Sequence, residues 1–245
     1  MITIVGTGHV LDIGKQVRAI IRARMPAVVA IELDPPRFHA LQHPEQRGRA
    51  PLVYMLMALV QRRIAQDYGG QAGAEMLAAA EEGNATGAKV ALIDKDAQQV
   101  FFELRARMPF KEKVKLLASL LGSFVFIFGK SVDEELDRYQ KDEASYLGEF
   151  GRQFPTVKLV LLDERNQHMA KALRDIHGQF SSVVAVVGDG HVPGMTELLA
   201  DLNPEVIRLR DLMDGKVPEP KPEHVAEGDS ASVSYSIQLN NENNK

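Results

Sequence analysis

The chain has 245 residues, 45% hydrophobic and 25% charged, the composition of an ordinary soluble globular protein, so wholesale disorder and fibrous repeats are excluded. Its 29 basic and 33 acidic residues leave a net charge of −4 with no strongly basic stretch, which argues against a nucleic-acid partner. Cysteine is absent, which excludes disulfides, thiolate zinc sites and a cysteine nucleophile.

Met1 leads directly into Ile2-Thr3-Ile4-Val5-Gly6, without the basic flank and apolar core of a secretory signal, so a cytoplasmic location is expected. Short β-branched runs then alternate with helical patterns, as parallel strands with crossover helices do. Strands are expected over residues 2–5, 27–33, 89–93, 157–162, 182–187 and 205–210. The first five are nearly continuous apolar runs, suited to burial on both faces, whereas Val206-Ile207-Arg208-Leu209-Arg210 alternates and suits a half-exposed edge. The fold class is therefore α/β, with a mostly parallel central sheet flanked by helices in one domain over residues 1–210. A helical insertion at 35–88, with helices around 52–64 and 72–82, is a candidate lid.

Val17, Ile20 and Ile21 mark one apolar helix face, and Val114, Leu117, Ala118 and Leu121 mark another. The apolar stretch at 116–128 has 13 residues and falls short of the roughly 20 needed to span a bilayer. It reads as a core or homodimer helix, with peripheral membrane association as the alternative. Ser131 and Glu134 form a capping-box pattern for a helix running to about 150, while Asp163 is expected to cap a helix carrying Met169, Leu173 and Ile176 that Gly178 closes. Residues 211–245 read as a flexible polar tail. With seven acids and three lysines, the tail accounts for the whole net charge. Its alternating run at 232–237 can add a strand to a sheet edge.

In a parallel sheet, ligands bind beyond the carboxyl ends of the strands. The expected strands run into Gly6-Thr7-Gly8-His9, Glu32 and Asp34, Asp94, Asp163-Glu164-Arg165, and Gly188-Asp189-Gly190-His191. Imidazoles and carboxylates gathered at one rim suit a divalent metal. One Gly-x-x-His is weak evidence, but two copies, each after an apolar strand, are stronger, since glycine lets the backbone turn and approach a ligand. Glu32 ends an apolar strand, where an unpaired dry charge is costly, so it is a metal ligand, a general base or the partner of Arg37. Arg165, in an expected first helical turn, calls for a carboxylate from the protein or a substrate. Asp94 and Asp96 read as helix caps or as ligands. A competing reading is a dinucleotide-binding unit in residues 1–34, although Leu11 stands where that pattern has its third glycine. No Gly-x-Ser-x-Gly elbow supports a serine hydrolase.

Together Val5-Gly6-Thr7-Gly8-His9-Val10, Val28-Val29-Ala30-Ile31-Glu32-Leu33-Asp34 with Arg37, Leu92-Ile93-Asp94-Lys95-Asp96, Asp163-Glu164-Arg165-Asn166 with Met169-Ala170, and Val186-Val187-Gly188-Asp189-Gly190-His191-Val192-Pro193-Gly194 resemble the TraB/PrgY/GumN family, in order and spacing over roughly residues 1–210. That family includes pheromone-shutdown proteins and is similar to Tiki, a metal-dependent protease with paired Gly-x-x-His motifs and an intervening glutamate. The resemblance implies a fold of the erythromycin-esterase and Tiki type, with His9, Glu32 and His191 as the matching site residues. The expected function is a metal-dependent, peptidase-like hydrolase acting on a peptide. His9 and His191 bind zinc, manganese, cobalt or iron, and Glu32 completes the ligand set or activates water. Arg37 and Arg165 orient Glu32 or hold a substrate carboxylate, supported by Asp34, Asp94 and Glu164. The alternatives are a non-catalytic peptide-binding regulator of the pheromone-shutdown type and, third, a nucleotide-binding oxidoreductase.

Overall fold

The computed structural model describes residues 1–8, 13–43, 73–127 and 143–215, with side chains left undescribed over 120–127 and 143–147. In chain order the elements are β1 (Ile2–Thr7), α1 (Gly14–Arg24), β2 (Val28–Ile31), α2 (Pro35–Gln42), α3 (Ala74–Ala85) and β3 (Lys89–Leu92). There follow α4 (Ala97–Arg107), α5 (Phe110–Ile127), α6 (Glu143–Gln153), α7 (Pro155–Lys158) and, after a π-helical turn at Leu159–Asp163, α8 (Glu164–His177). The chain continues through β4 (Val183–Gly188), a 3-10 turn at Asp189–His191, α9 (Val192–Leu198), β5 (Glu205–Ile207) and α10 (Leu209–Met213). The backbone forms two compact units, one built from Met1–Lys95 with the chain from Asn166 onward, the other from Asp96–Arg165.

The first unit carries a five-stranded, all-parallel sheet in the order β3-β2-β4-β1-β5. Side chains alternate strictly across it. Ile2, Ile4, Val28, Ala30, Ala185 and Val187 meet Met169, Leu173 and Ile176 of α8 and Met195 of α9 on one face. Val5, Val29, Ile31, Val184 and Val186 meet Val17, Ile20 and Ile21 of α1 and Met76, Ala79 and Ala80 of α3 on the other. This two-sided burial explains why these strands read as unbroken apolar runs. The helical residues are those expected from the spacing of α1 and α8. Arg22 of α1 grips Glu82 of α3 through two hydrogen bonds of 2.6 and 2.9 Å, joining the two helices on that face.

The strand order puts β4 between β1 and β2. Thr7 pairs with Gly188 and Ile31 with Val186, so β1, β4 and β2 end side by side. Whatever follows these three strands shares one rim. This is the feature of the fold that builds the site.

Residues 157–162 are not a strand. They continue from α7 through the π-helical turn into α8. Pro155 opens α7 at a position where a missing N–H is harmless, and the buried Glu112 carboxylate accepts from Thr156 N–H and Val157 N–H at 2.9 and 3.3 Å. Val157 and Leu161 then pack with Phe154, Met108 and Leu104 in the core of the second unit. A five- or six-residue apolar run is ambiguous between strand and buried helix, and here the cap decides. Consequently Asp163 does not cap a separate helix. It lies inside the continuous helical path, bound to Lys158 Nζ at 2.6 and 2.7 Å. Gly178 does follow the end of α8, its N–H bonding the Arg174 carbonyl.

In α5 the packed side carries Glu112 and Leu116, whereas Phe110, Val114 and Leu117 are 79, 50 and 60% exposed. The expected apolar face of this helix thus points outward over its described part. Among the described residues no helix is long and apolar enough to cross a membrane. The helix expected at 52–64, the capping box at Ser131 and the strand at 232–237 lie outside the described residues, as does the tail beyond 215.

The last expected strand stops at Ile207. Arg208 N–H donates to Asp211 Oδ2 at 3.0 Å, starting α10, and this helix carries the chain past the boundary expected at residue 210. Leu212 is fully buried in the core with Ile207 and Leu209. Ending the chain after Arg210 should therefore lower the unfolding free energy by about 2–4 kcal/mol relative to ending it after Gly215, a loss of one large core side chain and its contacts. Urea denaturation of the two truncated forms measures the difference, and equal midpoints would contradict the packing.

Candidate functional site

Glu32 is the first residue beyond β2, and its N–H still bonds the Val186 carbonyl of β4 at 3.1 Å. Its carboxylate is 4% exposed. One oxygen, Oε2, accepts from Gly188 N–H at 2.6 Å, at the last residue of β4. The other, Oε1, lies 3.3 Å from His191 Nε2. The chain reaches His191 by a single 3-10 turn from the end of β4, which folds the imidazole back over the rim.

The second ring nitrogen of His191 is also engaged. Nδ1 lies 2.6 Å from Oδ1 of Asn166, near the start of α8. Both residues are buried. A Cβ placed on Gly194 would come within 2.3 Å of Asn166 Nδ2, so the glycine that ends the second motif makes room for this amide.

The two Gly-x-x-His segments interlock through Asp189. A Cβ on Gly6 would meet Asp189 Oδ1 at 2.2 Å and Val192 Cγ2 at 2.9 Å. Gly6 sits inside β1 at ordinary backbone angles, so its role is to admit the aspartate rather than to turn the chain. Asp189 accepts from Arg208 Nε and Nη2 at 2.9 and 2.7 Å and from Leu209 N–H at 2.9 Å. A fork-shaped guanidinium and the N-terminal turn of α10 thus compensate this buried carboxylate. Thr7, the last residue of β1, donates its hydroxyl to the Val187 carbonyl at 3.1 Å, and His9 lies outside the described residues.

Beside this cluster, Asp34 caps α2 by accepting from Arg37 N–H at 2.7 Å and binds Arg37 Nε at 2.8 Å. Arg37 Nη2 donates to Asp94 Oδ2, while Asp94 Oδ1 accepts from Lys95 N–H at 2.8 Å. Arg37 therefore links the ends of β2 and β3 through two aspartates rather than pairing with Glu32. Burial alone would lower the pKa of Arg37, but Asp94 and Asp34 more than offset this and raise it, so the guanidinium stays charged. Partial burial pushes the nearby His168 imidazole below its ordinary value, opposed by the charge of Asp94. Asp96 follows the capping reading, accepting from Gln99 N–H at 2.9 Å.

Glu164 and Arg165 belong to the second unit and follow no strand. Glu164 binds Arg107 Nη1 at 2.7 and 2.9 Å, and Arg165 Nη1 donates to the Leu161 carbonyl at 3.1 Å. Among the described residues no group of three histidines and carboxylates converges, and the described donors that come together are His191 and Glu32. Asn166 and Asp189, which stand in the quoted motifs without an assigned role, and Arg208, expected only as part of an edge strand, complete the local network. The glycine at 194 was the available signal for Asn166.

Replacing Gly6 by alanine should cost about 1–3 kcal/mol by forcing Asp189 off its partners, whereas Gly148→Ala, in α6 with nothing within 4 Å of the added Cβ, should be neutral or stabilising by about 0.5–1 kcal/mol. Equilibrium unfolding in urea separates the two. Equal effects would mean that Gly6 is not there to admit Asp189.

The chain is 33% identical over 230 residues to an uncharacterized protein of Methanocaldococcus jannaschii, MJ1365, an alignment covering 88% of this chain. It spans 57% of that relative's length. A family model of the TraB/PrgY/gumN family matches residues 1–208. That match takes in every strand of the sheet and both Gly-x-x-His segments, and the chain belongs to the TraB/PrgY/gumN family.

Proposed function

We propose that the protein is a metal-dependent hydrolase of peptide-like substrates, with Glu32, His191 and His9 as the metal donors. The observation that carries this reading is the 3.3 Å approach of a buried carboxylate oxygen to a buried imidazole nitrogen. With Nδ1 turned to an amide oxygen, Nε2 presents its lone pair to another acceptor, an arrangement that a proton or cation between them satisfies. The donor set fits a first-row divalent ion. Nitrogen and oxygen ligands admit zinc, manganese, cobalt or iron, and availability rather than raw affinity selects among them. Membership of a family that resembles the Tiki proteases supports the peptide substrate class.

A divalent ion bound there supplies Lewis acidity, polarising a carbonyl and bringing the pKa of water toward neutrality. The protein supplies the rest. Gly188 N–H holds one oxygen of Glu32, so the carboxylate cannot rotate away and the other oxygen stays aimed at His191. From that position Glu32 either joins the ligand set or takes the proton from attacking water. Asn166 orients His191. Arg37 is a fixed cation at the rim, near enough to charge-balance Asp34 and Asp94 and too tightly bonded to swing as a free clamp.

Metal analysis and an unbiased peptide-cleavage assay on untagged protein test the proposal. His191→Ala and His9→Ala should each lose metal, and the double variant should be little worse than either, because ligands of one ion act as a unit. Glu32→Gln should either lose metal, as a ligand, or keep it and lose activity by about 10²-fold or more, as a general base. His177→Ala, at the end of α8, should change neither. Full metal occupancy in both histidine variants, or unchanged turnover without metal, would overturn the reading.

A further inference from the structure

We infer that Asn166 is a positioning residue that locks His191 in the tautomer protonated at Nδ1, reserving Nε2 for whatever the site binds. An amide oxygen can only accept, so a separation of 2.6 Å between Asn166 Oδ1 and His191 Nδ1 requires the proton to sit on Nδ1. Glu32 is the competing acceptor. As a carboxylate it is the stronger one, and alone it would draw the proton to Nε2. The distances resolve the competition: 2.6 Å on the Asn166 side is a short hydrogen bond, while 3.3 Å on the Glu32 side is longer than a charge-assisted one.

Three further features explain how an asparagine holds this position. It is buried in the first turn of α8, whose next turns are anchored in the sheet core by Met169, Ala170 and Leu173. Its amide nitrogen lies against Gly194, where any side chain would collide with it. An amide buried among apolar groups is costly unless its hydrogen bonds are made, so the His191 bond offsets the burial and fixes which way the amide faces. Asn166 acts on the site through the Nδ1 side of the His191 ring. The expected effect on metal affinity rests on the proposed metal reading, whereas the tautomer assignment does not.

The test is nitrogen NMR of the ring of His191 in the metal-free, full-length chain, recorded over a pH series, with His191→Gln identifying the signals. The wild type should show a protonated Nδ1 and an unprotonated Nε2. Asn166→Ala should shift the ring toward the Nε2-protonated form, and Asn166→Asp, whose carboxylate oxygen accepts where the amide oxygen does, should restore the wild-type pattern. Asn166→Ala should also weaken binding of Zn²⁺ or Mn²⁺ by about tenfold or more, with recovery in Asn166→Asp. A wild-type ring protonated at Nε2 overturns the inference even if no variant folds, as does an Asn166→Ala protein that folds and keeps the wild-type tautomer. If the tautomer behaves as stated but the wild type binds neither ion, the positioning role stands and the metal reading fails.

Discussion

Burying the carboxylate of Glu32 at the end of an otherwise apolar strand is the constraint around which the rim is organised. A charge with no partner there would be costly by several kcal/mol. The chain meets the requirement with the Gly188 N–H on one oxygen and the imidazole of His191 opposite the other. Both contacts exist because β4 lies between β1 and β2. In a sheet ordered by chain sequence, the residue after β2 would not reach the end of β4. Topology, rather than any local motif, thus brings Glu32 and His191 together.

The same economy governs the second carboxylate. Asp189 is adjacent to the Gly-x-x-His turn, faces inward past Gly6 of the first motif, and is held by Arg208 and the start of α10. One aspartate therefore ties β4, β1 and the segment after β5. A third set, Asp34, Arg37 and Asp94, joins the ends of β2 and β3. Each of these buried carboxylates is compensated by a donor from another element or from the chain just beyond it. Glu32 is paired with the Gly188 N–H and with the imidazole of His191, the contact on which the proposed cation site rests.

Much of this was legible in the sequence, for identifiable reasons. Strands buried on both faces leave unbroken apolar runs, so β1, β2 and β4 are legible directly, while the edge strand β3 shows as a shorter apolar run and the alternation around Val206 and Ile207 marks the opposite edge. Glu32 stood out because a charge follows Ile31 without a break. The failures share a cause as well. Residues 157–162 form helix because Glu112, 44 residues away in sequence, caps Thr156 and Val157, and no local window contains that bond. Leu212 falls in a stretch whose composition reads as a polar tail, yet its side chain is buried. The motif suggests that Gly6 lets the backbone turn toward a ligand, whereas the space it leaves is filled by Asp189, distant in sequence. Asn166 belongs to a quoted motif, but its role emerges only with Gly194 and His191 beside it.

The account turns on whether a cation belongs between His191 and Glu32. Crystals of the full-length protein grown with Mn²⁺ or Zn²⁺, examined by anomalous diffraction at the metal edge, test this most directly. The account predicts a peak within coordination distance, about 2.0–2.2 Å, of both His191 Nε2 and a Glu32 oxygen, with Asn166 still bonded to Nδ1. Saturating metal with no peak at that position, and His191 Nε2 donating its proton to Glu32 instead, would contradict it.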